Sequence, residues 1–288
     1  MVHISHARAF IRLMLYLACI GVIIPVQFFN LLFNLGFAKK WPMTAHQAGA
    51  RLLGLRLATV GKPLKKGPIL FVVNHTSYAD ISVLGSQLEA CFVAKSEVAK
   101  WPIFGLCAKL HRTVFVDRRP RFAAQQSEIL KERLSQGDNL ILFPEGTSND
   151  GNFVLPFRSA LFSAATIRVD DKPVTVQPVS IAYTHLDGIP MGRHLRPFFA
   201  WYGDMELASH LWQFCGIGKP RIEMRFHDPV TIDQFKNRKE MASWCHAVIA
   251  AGVAESLTGH AQAINHPQPK LREADDNGKL ALIGVAAT

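Results

Sequence analysis

No aspartate or glutamate occurs before Asp80. The same stretch carries nine bases (Arg8, Arg12, Lys39, Lys40, Arg51, Arg56, Lys62, Lys65 and Lys66), whereas the 209 residues from Asp80 onward hold 23 bases against 22 acids. The formal net charge of +10 is therefore local to the first quarter of the chain. Its bases flank or interrupt apolar runs and form no polar stripe, which suits anionic lipid headgroups and makes nucleic acid an unexpected partner. The five cysteines (Cys19, Cys91, Cys107, Cys215 and Cys245) include no Cys-x-x-Cys pair and no secreted-domain framework, so they fit a reducing compartment as small core residues. No Gly-x-Ser-x-Gly elbow marks a serine hydrolase. No cluster of histidines or carboxylates with ligand spacing marks a metal site, and His111, His185 and His194 read as surface or structural residues. No internal repeat is present.

What is there begins with a long uncharged run. Leu13 to Ala38 spans 26 residues without a charge, enough in helical form to cross a bilayer core of about 30 Å. Pro25 divides the run, and Gln27, Asn30 and Asn34 dot its second half at roughly helical spacing. Bases stand on both sides, so the expectation is a bent or re-entrant element with both ends cytoplasmic. A cleaved signal peptide is disfavoured, because the run is too long, no small-x-small site follows it, and bases come next. Leu52, Leu53, Leu55 and Leu57 beside Arg51 and Arg56 fit two readings, a helix lying at a membrane interface or an ordinary core-packing helix.

From Gly67 to about Tyr183, apolar runs of strand length alternate with mixed segments that read as surface helices. The strands expected are Ile69–Val73, Cys91–Ala94, Thr113–Val116, Leu140–Phe143 and Val174–Ala182, with one more at Ile222–Phe226 and a helix over Ile232–Leu257. This alternation predicts an α/β fold, a mainly parallel sheet flanked by helices, with membrane-associated helices at the N-terminus. The expected organisation is a membrane-associated helical segment over 1–62, a catalytic domain over 63–260, and a mobile tail over 261–288.

Two strand-end loops carry the chemistry. Asn74-His75-Thr76-Ser77-Tyr78-Ala79-Asp80 follows the first strand. On one ideal helix the two side chains would stand about 140° apart, so His75 must precede the helix, with Asp80 in its first turn. The carboxylate then accepts from one imidazole nitrogen and leaves the other as a base. By itself the spacing is common, and a helix-start Asp is often only a cap. Phe143-Pro144-Glu145-Gly146-Thr147 adds a strand-stopping proline, a permissive glycine, a carboxylate and a hydroxyl at a second strand end. Together the loops define a candidate site.

With these motifs in place, the chain resembles the glycerolipid acyltransferase family that includes the 1-acylglycerol-3-phosphate acyltransferases. Asn74 to Asp80 matches the family's Asn-His-x-x-x-x-Asp motif. Val114-Phe115-Val116-Asp117-Arg118 is similar to its second motif, Phe143 to Thr147 to its third, and Val176-Gln177-Pro178-Val179 to its fourth. The resemblance implies His75 and Asp80 as catalytic residues, and Asn74, Arg118, Glu145, Gly146 and Thr147 around the acceptor. It also implies direct acyl transfer from acyl-ACP or acyl-CoA to a lysolipid hydroxyl, with no metal and no resident cofactor. The expected partners are membrane lipids and the acyl carrier protein or CoA thioester, and the expected location is the cytoplasmic face of a bacterial inner membrane. One departure stands out. The family's third motif usually continues with an arginine, where this chain has Ser148, Asn149 and Asp150. Arg158 or Arg112 could replace that charge, or the headgroup differs. The leading acceptor is accordingly 1-acylglycerol-3-phosphate, with lyso-ornithine lipid as the alternative and a catalytically silent membrane-binding module as a lesser one.

Overall fold

The computed structural model describes residues 3–65, 67–117 and 123–261, together with 272–274 and 280–282. Its sheet contains β1 (Arg56–Val60), β2 (Ile69–Val73), β3 (Cys91–Lys95), β4 (Val114–Val116), β5 (Leu140–Leu142), β6 (Thr175–Leu186) and β7 (Pro220–Phe226). They lie in the order β1-β7-β6-β2-β5-β3-β4, with Ile189–Pro190 added at the end of β6. Only the β7–β6 pair along that path is antiparallel, so the sheet is mainly parallel. The helices are α1 (His6–Leu32), α2 (Trp41–Leu52), α3 (Ala79–Gly85), α4 (Phe104–Leu110), α5 (Ala123–Ser135), α6 (Leu207–Gly216) and α7 (Arg238–Thr258).

The continuous apolar run of β2 is explained by burial on both faces, as expected of a central parallel strand. Ile69, Phe71 and Val73 enter one core, with Leu84 of α3 and Phe214 of α6; Leu70 and Val72 enter the other, with Leu134 of α5 and Ile249 of α7. The same alternation sorts β6, where Val179, Ile181 and Tyr183 share the first core with α1 to α3 and α6.

Three N-terminal expectations change. The predicted break at Pro25 is absent: α1 runs unbroken through it for 27 residues, about 40 Å. By length and composition α1 alone, among the described residues, could cross a membrane. The polar residues near its end attach it to the domain. Gln27 Nε2 donates to the carbonyls of Ala38 and Leu110 at 3.0 and 3.1 Å, and Asn30 Nδ2 donates to Gln27 Oε1. Second, Leu52 to Leu57 form no single helix. Gly54, at φ +78°, ends the turn after α2; Leu53 and Leu55 enter the core, and Arg56 starts β1. The sheet therefore begins inside the 1–62 segment expected to be membrane-associated helix.

Third, Arg12 is no headgroup ligand. It is buried, and its Nη1 donates to the carbonyls of Cys215, Ile217 and Gly218 at 3.0 to 3.1 Å, at the C-terminal end of α6 where a cation is favoured. Of the expected tail, Ala261, 272–274 and 280–282 are described, the last two as an antiparallel pair; its other residues lie outside the described ones.

Candidate active site

Parallel pairing of β2 with β5, in the register Leu70 to Leu140 and Val72 to Leu142, brings the loops that follow them to one edge of the sheet. His75 follows β2 and Glu145 follows β5. Asp80 sits in the first turn of α3. The offset places its carboxylate beneath His75: Nδ1 and Asp80 Oδ2 are 2.9 Å apart. Asp80 is fully buried, and every neighbour is a donor. Thr76 N and Ser77 N reach Oδ2 at 2.7 and 2.9 Å, and the Tyr183 hydroxyl reaches Oδ1 at 2.9 Å. These donors offset the desolvation of the carboxylate and fix its direction. An acceptor-only carboxylate requires the proton on Nδ1, which leaves His75 Nε2 as a lone-pair acceptor. The His75 ring is 22% exposed and stacks on Phe143, with centroids 4.1 Å apart.

Glu145 is placed differently from a headgroup ligand. Its Oε1 accepts the backbone N–H of His75 at 2.6 Å, and its Oε2 accepts Asn149 Nδ2 and Leu155 N, each at 2.8 Å. Both oxygens are used within the protein. Burial pushes its carboxyl up to about 7, against the pull of those N–H donors. Asn74 is likewise committed to the backbone of β6, with Nδ2 on the Ile181 carbonyl at 2.9 Å and Oδ1 receiving Ile181 N–H at 2.8 Å. Both residues, expected around the acceptor, hold the loops in place.

Gly146 adopts φ +76° and lets the chain turn outward, so Thr147 is the exposed member of its motif. Arg118 lies outside the described residues. The departure after Thr147 also has a structural use. Ser148 Oγ donates to the Trp201 carbonyl, Asn149 serves Glu145, and Asn149 N and Trp201 N close onto the carbonyls of His75 and Thr76. Of the two arginines weighed as substitutes, Arg112 is consumed in a two-pronged ion pair with Asp138 at 3.0 and 2.7 Å. That pair precedes β4 and β5, at the sheet edge opposite the dyad. Arg158 is exposed, and its backbone N–H donates to the Pro144 carbonyl at 2.9 Å, which places it beside the second loop.

Tyr183 was missed by the motif reading, yet it carries a signal. It continues the core-facing alternation of Val179 and Ile181, and a tyrosine on an apolar face needs a partner for its hydroxyl. Tyr78 was missed too; its hydroxyl meets His210 Nδ1 of α6 at 3.1 Å. Beside the dyad, a cavity of about 240 Å³ runs between α1, α2 and α4. Its lining is mostly apolar, including Ile20, Ile24, Ala45, Trp101 and Phe104, and it reaches the His75 loop at Tyr78 and Ala79. Among the described residues, no three His, Cys, Asp or Glu side chains are grouped as metal ligands would be.

Known proteins resemble the chain in sequence and in fold. Residues 56–182 match the family model described as Acyltransferase. The chain is 43% identical over 242 residues to the lyso-ornithine lipid O-acyltransferase of Brucella abortus, covering 82% of this chain and 90% of that one. It is 38% identical over 261 residues to the protein of the same name from Rhizobium meliloti, covering 88% and 89%. The crystal structure of the 1-acyl-sn-glycerophosphate acyltransferase PlsC from Thermotoga maritima superposes with a TM-score of 0.62 at 23% identity, over 88% of this chain and all of that one, so the α/β fold is shared.

Proposed function

We propose, from the premise that this chain belongs to the acyltransferase family, that it moves a fatty acyl group from a thioester to the hydroxyl of lyso-ornithine lipid. The enzyme class follows from the family. The acceptor reading is supported by one observation above the rest: the positions after Thr147 carry no arginine and spend their side chains on Trp201 and Glu145. A phosphate headgroup gains most from clustered guanidinium groups. Among the described residues of the second loop, Arg158 is the one exposed guanidinium, enough for the single carboxylate of an amino-acid headgroup. The names of the relatives from Brucella abortus and Rhizobium meliloti point the same way. This reverses the order of the two acceptors weighed from sequence.

The chemistry needs only the two substrates. His75 Nε2 takes the proton of the acceptor hydroxyl as its oxygen bonds to the thioester carbonyl carbon. Asp80 holds the tautomer throughout and stabilises the imidazolium that forms. Collapse of the tetrahedral intermediate breaks the carbon–sulfur bond, and the same proton passes from Nε2 to the departing sulfur, leaving an ester and a free thiol. The apolar cavity beside Tyr78 accommodates an acyl chain. The exposed apolar face of α1, with Phe10, Ile11, Val22, Phe28 and Leu32, is the surface by which the enzyme reaches a cytoplasmic membrane leaflet.

The test is acyl transfer by the purified full chain, offering acyl-ACP and acyl-CoA with lyso-ornithine lipid or lysophosphatidate. Acylation of lyso-ornithine lipid well above lysophosphatidate is expected, and the reverse preference overturns the acceptor assignment. Transfer unchanged in His75→Ala removes the mechanism.

A further inference from the structure

Among the polar side chains that line the apolar cavity, two face each other and have no part in acyl transfer. His46 of α2 and His111, just after α4, both line it, with ring centroids 4.7 Å apart and planes at 42°. Phe92 stands edge-on to both, at 6.4 and 5.2 Å, and stacks on Phe143 at 6.3 Å, the ring that carries His75. The two imidazoles are thus set back from the dyad by two aromatic rings. Neither has a hydrogen-bond or ion-pair partner among the described residues, and both ring nitrogens of His111 are buried. His46 lies directly on Gly85, where a Cβ would come within 2.3 Å of its ring, so only a bare backbone admits it.

Burial pushes His46 down to about 3 and His111 down to about 4, so both are neutral at ordinary pH. A neutral imidazole presents one donor and one acceptor. Left unpaired in apolar surroundings, His111 carries a desolvation penalty that an alkyl chain cannot relieve, and half-buried His46 lines the same space beside it. A hydroxyl, which donates and accepts at once, relieves it.

We propose that His46 and His111 form a recognition point for a hydroxyl group carried along the acyl chain that enters this cavity. Shape and apolar contact then select the chain, and the imidazole pair selects its substitution. The proposal rests on the reading of the cavity as an acyl-chain site. The hydroxylated chain belongs either to the donor thioester or to the lysolipid itself, and the two sources share one chemistry.

The experiment measures kcat/KM for the full chain in two arms. One varies the donor, comparing hexadecanoyl-CoA with hydroxyhexadecanoyl-CoA substituted from mid-chain to chain end. The other varies the acceptor, comparing lysolipids that all keep the hydroxyl to be acylated and differ only in a second hydroxyl placed from mid-chain to chain end. In one arm, at least one hydroxylated substrate is expected to exceed its plain counterpart by about tenfold or more. His46→Leu and His111→Leu are expected to bring that ratio to about one while still transferring plain chains. A wild-type ratio at or below one for every position in both arms overturns the proposal, as does a preference surviving in both variants. Should a variant fail to fold, calorimetry on the wild-type protein with hydroxylated and plain hexadecanoic acid decides instead. Binding of the hydroxylated acid tighter by about tenfold supports the recognition point, and equal binding overturns it. Absence of plain-chain transfer by wild type marks failure of the acyltransferase reading and leaves the binding comparison to judge the histidines.

Discussion

The Glu145 carboxylate receives the backbone N–H of His75 at 2.6 Å, so the acid of one strand-end loop sets the position of the base on the other. Its second oxygen gathers Asn149 and Leu155 and thereby fixes the segment that follows its own motif. The two family motifs meet through this one buried group, both oxygens of which are engaged within the protein.

Glu145→Gln therefore tests positioning. An amide supplies one acceptor oxygen where three donors converge, leaving a donor facing a donor. We expect kcat to fall by about tenfold to a hundredfold, with KM for the acceptor changed little. A selective rise in KM would instead return Glu145 to the headgroup.

The raised carboxyl of Glu145 also predicts a pH dependence of stability. Between about 4.5, its ordinary value, and about 7, the folded chain holds a proton that the unfolded chain has released, so stability falls as pH rises across that window and levels off above it. Relative to Glu145→Gln, the wild type should gain stability on acidification from pH 7 to pH 4.5. The slope is at most about 1.4 kcal/mol for each whole step in pH, the free energy of taking up one proton. Denaturant unfolding at several pH values measures it, and a gap that does not widen refutes the assignment.

Asp80 and Tyr183 form the next test. Asp80→Asn would turn an amide N–H2 toward Thr76 N, Ser77 N or the Tyr183 hydroxyl and release the His75 tautomer; a loss of about a thousandfold or more in kcat is expected. Tyr183→Phe removes only one donor, and about a tenfold loss or less is expected, with the fold retained. Equal effects of the two substitutions would contradict the arrangement.

The two arginines near the motifs should separate cleanly. Arg112→Ala removes one of three cations around the buried Asp138 carboxylate, where Arg133 and Lys39 remain, and should cost stability by about 1–2 kcal/mol without altering which acceptor is used. Arg158→Ala should leave stability unchanged within about 0.5 kcal/mol and raise KM for the acceptor. Paired unfolding and steady-state kinetics read both.

Arg12→Ala leaves three carbonyls at the end of α6 without their donor, and a loss of about 1–3 kcal/mol is expected in denaturant unfolding. An unchanged midpoint would mean that water replaces the guanidinium.

Residue order by itself determined the strand sites from β2 to β7, though not β1, together with the mainly parallel sheet and the meeting of the His75 and Glu145 loops, because apolar runs of strand length and helical crossovers admit few arrangements and parallel neighbours end at the same edge. The five-residue offset from His75 to Asp80 was legible for the same local reason: both ends of the bond lie on one loop and one helical turn. What Glu145, Asn74, Arg12 and Arg112 do was decided only by the tertiary structure. Their partners are His75 N, Ile181, the end of α6 and Asp138, up to 206 residues away in sequence. A polar side chain beside a site points inward or outward according to which unpaired backbone groups the fold brings near it, and spacing along the chain carries no record of those groups. The course of α1 through Pro25 was decided in the same way, by packing on α6, α2 and α4 and by the Gln27 hydrogen bonds that anchor its far end.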